Sequence, residues 1–87
     1  MHERALMDDL VRKIEQTARE EGGRRVTRVQ VRLGALSHFT VDHFREHFED
    51  ATRGTLAEGA AVEAELGTDP TERNAQGVVL VSVEVEL

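Results

Sequence analysis

His2, His38, His43 and His47 are the strongest metal-ligating side chains in a chain that contains no cysteine. His2 draws its interest from its neighbour. An unblocked Met1 amine, the His2 amide nitrogen and a His2 ring nitrogen can chelate one metal in fused small rings. Such a planar, nitrogen-rich set suits Ni(II) or Cu(II), which favour square-planar or tetragonal geometry. A bulky second residue makes removal of the initiator Met inefficient, so Met1 is expected to stay. Glu3 can donate its own amide nitrogen or turn its carboxylate to a partner. The plainer reading of His2 is an exposed residue at a fraying end, and spacing alone favours it.

His43-Phe44-Arg45-Glu46-His47 is the sharper pattern. It matches H-x-x-E-H, the inverted zinc-peptidase motif. The i,i+4 spacing sets both rings on one side of a helix, where they can share a metal with Glu46 as a candidate base. Catalytic zinc also needs a third protein ligand and a water-excluding cleft, and one small core offers little of either. Both histidines fall at the edge of the Phe44/Phe48 stripe, an ordinary place for rim histidines. The pair is therefore read as a secondary metal site before it is read as a peptidase. Arg24, Arg25, Arg28 and Arg32 fit a solvated sheet face balanced by glutamates better than an anion site. No carboxylate lies in an apolar stretch that would prime it for acid catalysis. Gly-rich phosphate loops and Ser-His-Asp elements are not recognisable.

Composition narrows the class. With 87 residues, the chain fits a single domain spanning 1–87. Its net charge of −6 disfavours nucleic acid and anionic lipid, which need a positive face. The apolar runs are far too short for a membrane span, and Met-His-Glu-Arg does not open a secretory signal. Without cysteine there is no disulfide, cysteine-ligated zinc or iron–sulfur cluster, and a cytoplasmic home is the default. Aromatic residues make up 3%, three Phe, so Val, Leu and Ala must build most of the core.

The elements that carry these residues follow from periodicity. Residues 4–21 read as a helix, with Leu6, Leu10 and Ile14 at i+4 and Val11 and Ala18 beside them. Gly22-Gly23 supplies its left-handed stop. Residues 25–33 read as a strand, Val29, Val31 and Leu33 alternating with Arg28, Gln30 and Arg32. Thr40 can cap a second helix whose Val41, Phe44, Phe48 and Ala51 share a face, and Gly54 lies at its expected end. Two further strands alternate Val62, Ala64 and Leu66 with Glu63 and Glu65, then Val79, Val81, Val83 and Val85 with Leu80, Ser82, Glu84 and Glu86. A polar, turn-rich loop at 67–77 joins them. The order α-β-α-β-β predicts a two-layer α/β sandwich: a three-stranded mixed sheet covered on one face by two helices. The first two strands, joined through a helix, should run parallel. Cross-strand charge favours the arginine strand lying between the two glutamate strands.

The Met-His-Glu opening before an amphipathic helix resembles the HypA/HybF family of nickel metallochaperones, which serve hydrogenase/urease nickel incorporation. Arg25-Val-Thr-Arg-Val-Gln-Val-Arg-Leu-Gly-Ala-Leu-Ser37 is similar to that family's first strand and following loop, and Ala51-Thr-Arg-Gly-Thr-Leu-Ala-Glu-Gly-Ala60 to the end of its second helix. The closing valine-rich strand with Glu84 and Glu86 also fits. The resemblance implicates Met1 and His2 as ligands for Ni(II), with Glu3 beside them. It implies delivery during [NiFe]-hydrogenase maturation with a HypB-like GTPase and the hydrogenase large-subunit precursor as partners, and no catalysis. It also implies a departure. The family's four-cysteine zinc domain is replaced by the loop at 67–77, so no structural zinc is expected. The competing expectation is a metal-free protein-interaction module of a maturation complex or a homo-oligomer. A zinc hydrolase built on His43, Glu46 and His47 is the weakest of the three.

Overall fold

Five elements succeed one another in the computed structural model: α1 (His2–Glu20), β1 (Arg25–Leu33), α2 (Val41–Thr52), β2 (Ala61–Leu66) and β3 (Val78–Glu86). Residues 2–87 are described, with side chains from Arg4 onward. Met1 and the side chains of His2 and Glu3 lie outside the described residues.

α1 begins two residues earlier than the apolar periodicity requires. Its buried stripe is Met7, Leu10, Val11, Ile14 and Ala18, while Leu6 is only half-buried. Gly22, at φ 72°, stops it: the Gly22 N–H donates to Arg19 O (3.0 Å) and the Gly23 N–H to Ala18 O (2.8 Å). This is the Schellman arrangement, which satisfies carbonyls that the helix end would otherwise leave unpaired.

The sheet order is β2-β1-β3, with β1 and β2 parallel and β1 and β3 antiparallel. The two-layer sandwich and the central place of the arginine strand are thus as expected. Arg28 reaches a carboxylate on each side, pairing with Glu63 on β2 and lying 3.8 Å from Glu84 on β3. Arg25 adds a pair with Glu86 at 3.5 Å. These pairs are exposed and each contributes only about 0.2–1 kcal/mol, but all favour the same order.

The alternation in β3 is not as expected. Val83 and Val85 pack toward the core, and so do Val78 and Leu80, whereas Val81 is 57% exposed. The register explains it. Gln30 faces Ser82 and Val31 faces Leu80, which leaves Val81 as an extra residue. Such a β-bulge moves every side chain before it to the other face. Val79 and Val81 therefore belong to the open face. A second register shift, at Thr27, brings both Val26 and Val29 inside although they are three residues apart.

α1 and α2 cover the same face, α1 packing mainly on β3 and α2 on β2. Phe44, Phe48, Ile14, Leu33, Val26, Val29 and Val31 are the fully buried centre. The 67–77 segment is fastened to the β1–α2 connection. Leu36 N–H donates to Ala75 O (2.7 Å) and Gly34 N–H to Gly77 O (2.9 Å). Gly34 is required there, because a Cβ at that position would come within 2.1 Å of Ala75 O.

Candidate metal centre

Of the expected ligands Met1, His2 and Glu3, the backbone of the last two forms the start of α1. Met1 and the side chains of His2 and Glu3 are outside the described residues. The backbone around them is informative. The first four amides of a helix have no intrahelical acceptor, so the His2 amide nitrogen is not committed to holding α1 together. Just beyond, Arg4 and Ala5 are exposed, Leu6 is half-buried and Met7 is buried in the core. Met7 thus anchors the beginning of α1 within about one and a half turns of His2.

His43 and His47 are brought together as their spacing requires. Burial of Phe44 and Phe48, 0% and 1% exposed, fixes the rotation of α2, and the two histidines stand half-buried one residue before each. Their ring centres are 4.4 Å apart with planes inclined at 37°. Thr40 caps the helix, its hydroxyl accepting from the His43 N–H at 3.1 Å. Phe39, just before the cap, packs edge-on against Phe44 at 5.6 Å and also lies 5.9 Å from the His43 ring. Phe39 is buried, although the sequence pattern leaves it in a connection. A hydrophobic residue before the cap that meets the fourth helical residue is a staple, and the Phe39-Thr40…Phe44 spacing carries that signal. Both imidazoles make further interactions with their surroundings.

The remaining candidates stand apart. His38 is exposed in the β1–α2 connection at φ 66°, a left-handed position that histidine tolerates better than most residues. Glu46 is exposed, and Asp50 is held by Arg53 at 2.7 Å. Among the described residues no three His, Cys, Asp or Glu side chains group into a metal site. Shallow cavities of about 450 and 230 Å³ lie on the open face of the sheet, around Arg32, Val81 and neighbouring side chains. Neither is lined by His43, Glu46 or His47, so neither gives those residues the enclosed cleft that hydrolysis needs. Arg28 and Arg32 face glutamates, as a balanced sheet face should. Among the described residues, no helix is long and apolar enough to cross a membrane.

Against known proteins, residues 1–72 match the profile of HypA, described as hydrogenase/urease nickel incorporation, metallochaperone. The hydrogenase maturation factor HypA of Methylocella silvestris is 38% identical over 66 residues, covering 76% of this chain and 58% of that protein. The hydrogenase maturation factor HypA of Pyrococcus furiosus is 44% identical over 62 residues, covering 71% of this chain and 45% of its own length. The chain thus aligns with about half the length of these curated relatives. The solution structure of the Ni metallochaperone HypA from Helicobacter pylori superposes with a TM-score of 0.77 at 14% identity, covering 94% of this chain and 95% of that one. That likeness concerns the fold. It extends over most of the chain, whereas the family profile ends at residue 72, inside the loop before β3.

Proposed function

The chain belongs to the HypA family of hydrogenase/urease nickel-incorporation metallochaperones, and from that premise we propose that it binds Ni(II) at its N-terminus and hands it on during [NiFe]-hydrogenase maturation. The observation that carries this reading is the family match itself, which starts at residue 1 and so includes Met1-His2-Glu3. Nickel is cargo here. The Met1 amine, the His2 amide nitrogen and a His2 ring nitrogen form the chelate, and Glu3 stands beside it. This set suits a d⁸ ion that favours a planar nitrogen field. The start of α1 supports it, because the amide nitrogen is outside the helical hydrogen-bond ladder.

Residues 1–87 act as a single nickel-binding domain, with the 67–77 loop in the place of the family's zinc domain, and the chain carries no structural zinc. It catalyses no reaction. Its partners are a HypB-like GTPase and the hydrogenase large-subunit precursor, in the cytoplasm. Because its ligands must be deprotonated, loading releases protons and weakens as pH falls.

Calorimetry and native mass spectrometry on protein with an unmodified terminus test the proposal. The expected result is one Ni(II) per chain in the principal site. His2→Ala, or two residues added before Met1, should weaken that site by about a hundredfold or more, beyond the usual effect of losing an outer-shell partner. Undiminished affinity in both variants would overturn it. If partner association then persisted without metal, an interaction module would be the better description.

A further inference from the structure

We propose that His43 and His47 form a second, independent site for a borderline divalent cation, of which Ni(II) is the probe of choice. It holds the ion by two adjacent coordination positions and leaves the rest to water or to a donor from a partner.

The argument begins with distance. A metal sits about 2.0–2.1 Å from an imidazole nitrogen, which puts it about 3.2 Å from the ring centre. Two rings bound at right angles then have centres about 4.5 Å apart by the same geometry. The observed separation is 4.4 Å, and the rings are inclined at 37° rather than parallel. The pair is therefore already spaced for a shared ion. Its positions are also held in advance. The Thr40 cap fixes the turn that carries His43, the Phe39 ring lies against the His43 ring, and burial of Phe44 and Phe48 fixes the helix face. A ligand pair set on a rigid helix loses little freedom when it chelates.

Electrostatics points the same way. α2 carries Asp42, Glu46, Glu49 and Asp50 against the single basic residue Arg45. A surface of that sign raises the local concentration of divalent cations. Imidazole is a good ligand for Ni(II), Cu(II) and Zn(II) alike, so geometry and supply, not raw affinity, decide what is held. Among the described residues no third ligand joins the pair. The site is therefore open and half-exposed, suited to capture and release and not to permanent storage. The alternative is that the rings simply pack on one another at the helix rim, as offset aromatic pairs do.

The full-length chain, extended by two residues before Met1 so that the terminal chelate cannot form, is titrated with Ni(II) alone by calorimetry. The proposal expects one residual site, weaker than the principal one. That site is lost in the extended chain carrying His47→Asn and retained with His38→Asn, since His38 lies apart in an exposed connection. Because His43 touches Phe39, its replacement risks disturbing α2. His43 is instead followed by NMR in the unsubstituted extended chain. Substoichiometric paramagnetic Ni(II) should broaden the His43 and His47 ring signals before that of His38. No residual binding in the extended chain, binding that survives His47→Asn, or broadening that begins at His38 would each overturn the proposal. None of these outcomes bears on the terminal chelate, which the extension has already removed.

Discussion

On the covered face of the sheet, Ile14, Phe44 and Phe48 press against Val26, Val29, Val31 and Leu33, all at or below 2% exposure. On the open face, Arg28, Arg32, Glu63 and Glu84 keep 42–59% of their side-chain surface in water. A fully buried Phe or Leu contributes roughly 1.5–3 kcal/mol through removal of its surface from water, and an exposed ion pair a few tenths to about one. The comparison shows where positional accuracy can come from. His43 and His47 are carried by the helical layer, where burial of Phe44 and Phe48 dictates geometry. The open face determines strand order and little else.

The largest test of that division is Phe44→Ala. Removing a fully buried aromatic costs about 3–5 kcal/mol. A domain of this kind has only about 5–15 kcal/mol in total. Urea denaturation should show a midpoint lowered sharply or a chain already unfolded. The two proposed metal sites should then part company. The terminal chelate closes through neighbouring atoms and needs no tertiary fold, so Ni(II) uptake that depends on His2 should survive. The His43/His47 pair needs an intact helix and should lose its residual binding. Equal loss at both sites would show that the terminus also depends on the core.

Thr40→Ala comes next. The cap accepts the His43 N–H at 3.1 Å, and loss of such a cap costs about 0.5–2 kcal/mol. Thermal unfolding should report that decrease, with the His43/His47 site weakened and the terminal site unchanged. Arg28→Ala, on the opposite face, removes contacts to both Glu63 and Glu84. It should lower stability by less than about 1 kcal/mol, an effect that shrinks further as salt is raised. Nickel binding at both sites should be unaffected. A change there would mean that the open face reaches the metal-binding end after all.

The contrast between the faces also accounts for what could be read from sequence. The five elements and the sandwich follow from periodicity, because a helix or strand with one apolar face has few places to go. Even the strand order was legible, since Arg28 between Glu63 and Glu84 satisfies three charges at once. The bulges were not. Val79, Val81, Val83 and Val85 alternate without a break in sequence, and only pairing with β1 shows that Val81 is the extra residue. Thr27 left a faint trace in the uneven spacing of Val26 and Val29. Met7 and Phe39 were missed for another reason: each lies at the margin of its element, where two or three residues carry too little period to show a face. At the candidate site, residue type and spacing located His43 and His47, and the structure brings their rings together. The Met1-His2-Glu3 chelate was legible only as a short-range arrangement of donor atoms, supported by resemblance, because nothing in apolar patterning marks a terminal amine.

The smallest expected effect lies in the Asp69 turn of the 67–77 loop, an exposed turn closed by its own hydrogen bonds. Asp69 accepts from the Thr71 hydroxyl at 2.6 Å and from the Thr71 N–H at 2.9 Å. Those two donors hold its carboxyl below the ordinary carboxylate range, the hydroxyl bond being the larger cause, because both favour the charged form. A depressed value in the folded state means that the ordering of this turn is fully present above the unfolded carboxyl pKa, about 3.9. It is lost as pH falls through the lower folded value. Asp69 should therefore titrate below about 3.9 by carboxyl-detected NMR and move part of the way back toward that value in Thr71→Ala, which removes the hydroxyl donor and keeps the N–H. Nickel loading, by contrast, depends on nitrogen ligands that hold protons more tightly than a carboxylate does, so it should fail before this turn loosens. In a single acid titration, metal release should therefore precede loss of the Asp69 turn. If the two coincide, the loop and the metal-binding end are coupled, and the independence attributed here to the two parts of the molecule is wrong.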